Sequence, residues 1–233
     1  MKKAYVAVSA MTLLSACASN YVAKPYVPGA QPIQKVAIAD DSVPENMIAP
    51  EVASVGSNFG LIGALIDAGV QSSRQAALSG ALARVSFNAE DTLERSLVEA
   101  LSQQGIQASV VNGPQRPKRV FLAQYPNAAG GVDAYYDVVL TYYGYLSAGA
   151  GQPWRPSADA TVRLVSAADR RVLLENRISY NVIAAPRGVI TLSPNPEFEF
   201  RNREEMVNNP DRLANGLKDA FQRIASTAAK LIQ

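Results

Sequence analysis

The chain has 233 residues, and its 22 Lys and Arg side chains nearly balance 20 Asp and Glu, which leaves a net charge of +2. Histidine is absent and cysteine occurs once, so the sequence excludes histidine-dependent catalytic triads and most zinc sites. The balanced charge gives no support for nucleic-acid binding, which normally requires a basic surface. We therefore expect no enzymatic activity, no metal and no cofactor.

The first residues have the pattern of a secretory signal. Lys2 and Lys3 precede an uncharged stretch from Ala4 to Leu14, and small residues then lead to the only cysteine. This stretch is too short to cross a bilayer as a helix, which takes about 20 apolar residues. We interpret residues 1–16 as a signal peptide that is removed, together with the two lysines that account for the net positive charge.

The run Leu14-Ser15-Ala16-Cys17 resembles the lipobox of bacterial lipoproteins. The resemblance implies that Cys17 receives a diacylglyceryl group, that the leader is cut before it, and that the new amino terminus is acylated. Two or three acyl chains hold a domain at a membrane, whereas one chain binds only marginally. By the same resemblance, alanine rather than aspartate at position 18 implies the outer membrane. The alternative is an unmodified thiol after an ordinary cleavage site.

A proline-containing spacer is predicted to follow the lipidated cysteine. Pro25, Pro28 and Pro32 lie within residues 17–34, which favours an extended tether that holds the domain up to about 50 Å from the bilayer. An arm packed on the domain is the alternative. Residues 35–233 are predicted to form one domain, which starts with a short apolar run typical of a buried strand.

A Gly/Ala-rich insertion around residues 56–84 is predicted to be helical between residues 59 and 82. Small residues recur at every fourth position and fall on nearly one helical stripe; they are Gly56, Gly60, Ala64 and Ala68. Such a stripe lets a second helix approach closely, in lipid or in protein. Three interpretations stay open: a core helix against the sheet, a self-association or membrane-surface element, and a segment that inserts into a bilayer.

A capped helix and a strand are predicted next. Asn88 is a suitable N-cap, and acidic residues follow it in the first turn, where the helix dipole favours them. Gly105 stands where a helix commonly ends in the left-handed conformation. A β-branched strand is predicted at residues 106–111.

The second half of the chain indicates an antiparallel meander and a final helix. Three strands are predicted at residues 132–146, 158–165 and 172–183, joined by short links. Residues 184–209 contain three prolines and are predicted to be a surface loop. Pro210 then begins an amphipathic helix, whose apolar face consists of Leu213, Leu217, Phe221, Ile224, Ala228 and Leu231.

This order of elements predicts one α/β or α+β domain, with a mixed sheet that includes the three-strand meander, helices packed on it and a C-terminal amphipathic helix. Several pieces resemble a superfamily of bacterial envelope domains. They are the strand Lys35-Val36-Ala37-Ile38-Ala39, the helix end at residues 93–105, the acidic residue before an apolar strand in Tyr136-Asp137-Val138-Val139-Leu140, and the hairpin of Ala160-Thr161-Val162-Arg163-Leu164-Val165-Ser166 with Asp169-Arg170-Arg171-Val172-Leu173.

That superfamily includes the curli-secretion-channel lipoprotein, the lipoprotein activator of a penicillin-binding protein and the amino-terminal domain of the Tol system's periplasmic protein. The resemblance implies a scaffold, a regulator or a secretion-channel subunit rather than a catalyst. The turn at Ala168-Asp169-Arg170 departs from the superfamily because it lacks the usual glycine.

A tyrosine-rich strand is a second candidate for function. Tyr135, Tyr143 and Tyr145 are predicted on the face opposite the aliphatic residues of strand 132–146, and Trp154 lies just beyond it. Aromatic side chains on a sheet face stack on sugars or bind a peptide strand. Ordinary packing is the alternative, because tyrosine is a preferred strand residue.

Together, these patterns predict a non-catalytic outer-membrane lipoprotein that faces the periplasm and binds or organises an envelope partner. The expected partners are the membrane, through the lipid anchor on Cys17, and an envelope protein or a second copy, but not nucleic acid. An oligomeric secretion or pore subunit assembled through residues 56–68 is the alternative. A hydrolase that acts through Glu or Asp is a third hypothesis.

Overall fold

A computed structural model describes residues 21–28, 32–51, 73–114, 116, 120–127, 131–183 and 187–233. Six strands within these ranges form one mixed sheet in the order β2-β1-β3-β4-β5-β6. The strands are β1 (Lys35–Ala39), β2 (Gln107–Val111), β3 (Ala134–Ser147), β4 (Trp154–Ser166), β5 (Val172–Tyr180) and β6 (Ile190–Leu192). The helices are α1 (Ser73–Arg84), α2 (Ala89–Gln103), α3 (Arg203–Asn208) and α4 (Pro210–Lys230), with a 3-10 turn at Pro196–Phe198.

The sheet combines parallel and antiparallel pairing. β1 lies between β2 and β3 and is parallel to both, whereas β3, β4 and β5 form the predicted antiparallel meander. β6 pairs in parallel with the end of β5. The prediction of a single-domain α+β fold with a mixed sheet and a C-terminal amphipathic helix is confirmed.

Several predictions fall on residues outside the described ranges. They concern the signal peptide, Cys17 and the small-residue stripe of Gly56, Gly60, Ala64 and Ala68. Of the helix predicted at residues 59–82, the described part begins at Ser73, in α1. Among the helices in the described ranges, none has the length and apolar character needed to cross a membrane.

Helix α2 begins and ends as its sequence predicts. The Asn88 side chain accepts a hydrogen bond from the Asp91 amide at 3.2 Å, which satisfies one of the free N–H groups of the first turn. Gly105, just beyond the last turn, has a φ of 76°, a left-handed conformation that glycine adopts without strain. The apolar face of α2 is buried against the sheet and against α4.

Helix α4 closes the main core. Its apolar face is fully buried as far as Ala228, and Phe221 lies edge-on to Tyr143 with ring centroids 5.6 Å apart. The Tyr136 hydroxyl donates to the Ala228 carbonyl at 2.6 Å, so a buried polar group on β3 is satisfied by the helix. These contacts tie the end of the chain to the centre of the sheet. Leu231, predicted on the same face, is only partly buried.

A bulge in β3 overturns part of the tyrosine prediction. The register shifts between Leu140 and Tyr142, because β3 has one residue more than β4 at this point. Beyond the bulge, Tyr143 and Tyr145 therefore lie on the helix-covered face, in the main core, while Tyr142 lies on the opposite face. Tyr135 precedes the bulge and lies on the face that was predicted for it.

Other boundaries also differ from prediction. β4 begins at Trp154, four residues before the predicted start of this strand, and Trp154 exchanges backbone hydrogen bonds with Phe200 at 2.7 and 2.9 Å. The predicted loop at residues 184–209 contains β6, the 3-10 turn and α3. These elements are too short to show a periodic pattern of apolar residues in the sequence.

The spacer is shorter than predicted, because part of it lies on the sheet. Lys24 pairs in an antiparallel bridge with Glu175 of β5, through N–H···O bonds of 2.7 and 2.9 Å in the two directions. The Tyr21 amide donates to the Arg187 carbonyl at 3.2 Å, and Tyr26 packs against the main core. Residues 21–28 are thus an arm on the β5 edge rather than a free tether.

Candidate functional site

The sheet face opposite the helices carries charged side chains that compensate one another. Asp137, Arg163 and Glu175 lie opposite one another in β3, β4 and β5. Arg163 Nη2 is 2.8 Å from Glu175 Oε2, and Arg177 Nε is 3.0 Å from Asp159 Oδ1. Opposite charges in neighbouring strands stabilise the pairing of a sheet. We refer to this side of the sheet as the polar face.

Asp137 is the most buried charge of the polar face. Its carboxylate accepts hydrogen bonds from Arg116 Nη1 at 2.7 Å, the Leu122 amide at 2.9 Å and the Tyr125 hydroxyl at 3.1 Å. Burial, together with the charge of Asp137, raises the pKa of Tyr125 above its usual range. Because its oxygens are committed to these donors, Asp137 holds the loop that precedes β3 and has no geometry for a general base.

An open cleft of about 340 Å³ lies between this loop and the meander. The Arg163 guanidinium is 3.9 Å from the ring centroid of Phe121, and that of Arg170 is 4.8 Å from the ring of Tyr135. Because Arg163 is also paired with Glu175, Arg170 is the guanidinium more available to an anionic group. The residues that line the cleft include no carboxylate and are Leu122, Ala123, Gln124, Tyr125, Arg163, Val165, Arg170 and Val172. We call it the arginine cleft.

The aromatic residues predicted to form a binding face are all buried. Tyr135, Tyr143, Tyr145 and Trp154 are 3, 4, 0 and 6 % exposed. The expectation of an exposed aromatic surface is corrected accordingly: Tyr143, Tyr145 and Trp154 belong to the main core, and only Tyr135 lies beside the arginine cleft, under Arg170.

Three carboxylate side chains lie close together beside the end of β1, a cluster that the sequence did not predict. Oxygens of Asp40, Glu90 and Glu94 lie within 4.8 Å of one another, an arrangement that resembles the oxygen set of a cation site. Glu90, however, uses both oxygens on donors of the loop after β1, accepting from the Ser42 and Val43 amides at 3.0 and 2.8 Å. The cluster therefore fixes that loop.

Within the cluster, Glu94 holds its proton unusually tightly. Burial, a hydrogen bond to Asp40 and the neighbouring negative charges raise the pKa of Glu94 from 4.5 to about 8. Near neutral pH the Asp40–Glu94 pair therefore retains a proton, which relieves the repulsion between the two side chains.

A second groove, of about 540 Å³, runs between α2 and the edge strand β2. Val98 and Val110 form its apolar floor, and Val110 is 37 % exposed. Arg95 stands among the acidic side chains of Asp91, Glu94 and Glu99 along the groove. The sequence could not reveal this groove, because nothing in it shows that β2 lies at the edge of the sheet.

Comparisons with known proteins do not assign this chain to a family. No family model matches it, and no curated protein is significantly similar in sequence. Among solved structures, a Xanthomonas campestris protein of the family model DUF330 aligns over 90% of this chain and 93% of its own, at 10% identity and a TM-score of 0.42.

Proposed function

We propose that the protein is a non-catalytic outer-membrane lipoprotein that faces the periplasm and binds an envelope protein. The observation that carries this proposal is the Leu14-Ser15-Ala16-Cys17 run, which ends only four residues before the arm on the sheet. A lipidated cysteine at this point makes the domain a membrane-apposed scaffold, and the polar face supplies the surface for a partner.

The anchor is close to the domain. Tyr21 is already bonded to Arg187, so four residue steps separate Cys17 from the folded part, and these span at most about 14 Å. The β5 edge is therefore held near the bilayer, far closer than the 50 Å predicted for a free tether. Val22 and Val27, which are 84 and 71 % exposed on this arm, are apolar side chains that can contact an apolar surface.

The arginine cleft is the surface that best fits a partner. Its two guanidinium groups are held by aromatic rings, and its floor is apolar, so it suits a segment that carries a carboxylate beside an apolar side chain. Glu175 neutralises Arg163 in part, which leaves Arg170 as the more available cation. We therefore expect an acidic segment of an envelope protein to bind here.

Site-specific photo-crosslinking in cells tests the partner. A photoreactive residue at the exposed Gln124, at the cleft, is compared with one at the exposed Gln222 of α4. We expect Gln124 to capture one envelope protein that Gln222 does not, and Arg170→Glu to reduce that capture. Equal capture from both positions contradicts the proposed surface. Turnover of an ester, peptide or glycan substrate that is lost on replacement of one carboxylate contradicts the non-catalytic role.

Self-association remains the second prediction for the partner. The small-residue stripe proposed for it lies outside the described residues, and the open edge of β2 is a different candidate surface for a second copy.

A further inference from the structure

The outer edge of β2 presents free backbone groups among the described residues. The Gln107 amide donates to the Gln34 carbonyl at 2.7 Å, and the Val111 carbonyl accepts from Asp40, so the odd-numbered residues of β2 face β1. Backbone groups alternate along a parallel strand, and those of Ala108 and Val110 therefore point away from the sheet. They form a short template for another strand.

β2 lacks the features that normally protect such an edge. Its sequence, Gln-Ala-Ser-Val-Val, has no charge and no proline, and it is not shortened to two or three residues. The opposite side of the sheet is different: Lys24 covers the start of β5, and the three-residue β6 covers its end. In the described part of the chain, β2 is the long open edge.

A twofold axis through Ser109 fits the geometry of this edge. With a second β2 antiparallel to the first, Ala108 of each copy lies opposite Val110 of the other, and all of these backbone groups point toward the neighbouring strand. Each opposed pair then exchanges both of its hydrogen bonds. Ser109 faces its own counterpart in the pair between them, which makes no hydrogen bonds.

The same axis passes over the middle of α2. The Ile106 amide donates to the Leu101 carbonyl at 3.0 Å, which sets the start of β2 level with the last turn of the helix. Ser109 lies about 10 Å further along β2, a distance that the returning helix covers in about 6 or 7 residues. Ser109 is therefore level with the part of α2 between Arg95 and Glu99.

Charge complementarity indicates that a second copy of α2 occupies the groove. The axis places Arg95 of each copy opposite Glu99 of the other and brings the two Val98 side chains near the centre. Arg95 and Glu99 are both exposed and both border the groove. Opposite charges that meet twice, around an apolar centre, are the pattern of a self-complementary interface with twofold symmetry.

We propose that two copies of the chain form a dimer through antiparallel pairing of their β2 strands, with α2 against α2. The result is one continuous twelve-stranded sheet. The arms on the two β5 edges then lie at its far ends, so dimer formation leaves residues 21–28 unobstructed and does not depend on lipidation.

Disulfide trapping distinguishes this register. Residues that face each other in the pair without hydrogen bonds have Cα atoms about 4.5 Å apart, within the range of a disulfide. Ser109→Cys in the full chain should therefore give a disulfide-linked dimer on oxidation. Gln107→Cys, exposed on the same strand and face, is the matched control, because its two copies would lie about 13 Å apart along the strands and should stay monomeric. Both variants are compared with and without Cys17→Ser.

Two further changes test the interface itself, with the Ser109→Cys dimer as the readout. Val110→Pro removes an outward N–H while it leaves the β1 hydrogen bonds intact, so it should abolish trapping. Arg95→Glu should weaken trapping, and Arg95→Glu with Glu99→Arg should restore it. If the Val110→Pro variant does not fold, the Arg95 and Glu99 variants still test the interface.

Three results overturn the proposal. One is a yield of disulfide-linked dimer from Ser109→Cys that is no higher than the yield from Gln107→Cys. This result is expected if another segment of the same chain covers the edge of β2. Another is a Ser109→Cys adduct with a different protein in place of the dimer. The third is a dimer yield that does not respond to the Arg95 and Glu99 exchange.

Discussion

Arg116 Nη1 lies 2.7 Å from Asp137 Oδ1, and the two side chains are only 3 and 0 % exposed. The same arginine donates from Nε to the Asp40 carbonyl at 3.0 Å, at the end of β1. This ion pair therefore connects the loop before β3 to two neighbouring strands. It also supports one wall of the arginine cleft, because Leu122 and Tyr125 bond to the same carboxylate.

Asp137→Ala should destabilise the fold strongly, because it leaves the buried Arg116 without its counter-charge. Removal of one partner of a buried ion pair typically costs about 3–5 kcal/mol. We expect the free energy of unfolding of the full chain, measured by urea denaturation, to fall by that amount. The double variant Arg116→Met with Asp137→Leu should lose less free energy of unfolding than the two single variants lose together, since no unpaired charge remains.

Glu199→Gln is the control for this prediction. Glu199 pairs with Arg155 at 2.7 Å, but the side chains are 26 and 44 % exposed. An exposed pair contributes about 1 kcal/mol or less. Similar losses for Asp137→Ala and Glu199→Gln would contradict the role given to burial.

Gly216 allows Tyr145 to reach α4. A Cβ at this position would lie 2.0 Å from the Tyr145 hydroxyl oxygen and 2.9 Å from Phe198 Cβ. Gly216→Ala should therefore destabilise the protein by about 1–3 kcal/mol, as overpacked cores do, although alanine is the better helix former. Gly80→Ala in α1 is the matched change: nothing lies within 4 Å of the added Cβ, and we expect a gain of about 0.5–1 kcal/mol. Thermal denaturation of both variants measures the difference, and a stabilised Gly216→Ala variant would show that Tyr145 has room to move.

The raised pKa of Glu94 predicts that the stability of the protein depends on pH. Its pKa is raised from 4.5 to about 8 in the folded chain, chiefly by burial. The folded state therefore holds a proton that the unfolded state has released, and this contribution is fully present below pH 4.5 and is lost as the pH rises through about 8. Glu94→Gln, which keeps a neutral donor to Asp40, should become progressively more stable than the unaltered protein between pH 5 and pH 9.

Urea denaturation of both proteins across this pH range measures the effect. Glu197→Gln, which removes an exposed carboxylate in the 3-10 turn, is the control and should show no such trend. A constant difference between the Glu94→Gln and unaltered proteins would mean that Glu94 is ionised throughout.

Local signals in the sequence were sufficient for most of the fold. The cap at Asn88, the glycine at position 105 and the apolar face from Leu213 each act within a few residues, so the sequence predicts α2 and α4 correctly. The meander was also predictable, because alternation and short links specify antiparallel neighbours.

The remaining features depend on contacts between distant residues. The bulge after Leu140 reverses the faces of Tyr143 and Tyr145, and just beyond it a distant segment runs beside β3, where Ile48 bridges to Gly144. A Cβ on Gly144 would lie 1.8 Å from the Ile48 carbonyl oxygen, so this approach requires glycine. The arginine cleft likewise joins loop residues near 121 to strands that begin more than 30 residues later, which no local pattern reveals.

The proposed function depends on acyl chains on Cys17 that hold this domain at a membrane. The most direct test is the intact mass of the protein extracted by detergent from the membranes of the cells that make it. We expect a chain that starts at Cys17 and carries a diacylglyceryl group and an amide-linked acyl chain, and we expect neither group on the Cys17→Ser variant. A protein recovered with an unmodified Cys17 thiol would contradict it.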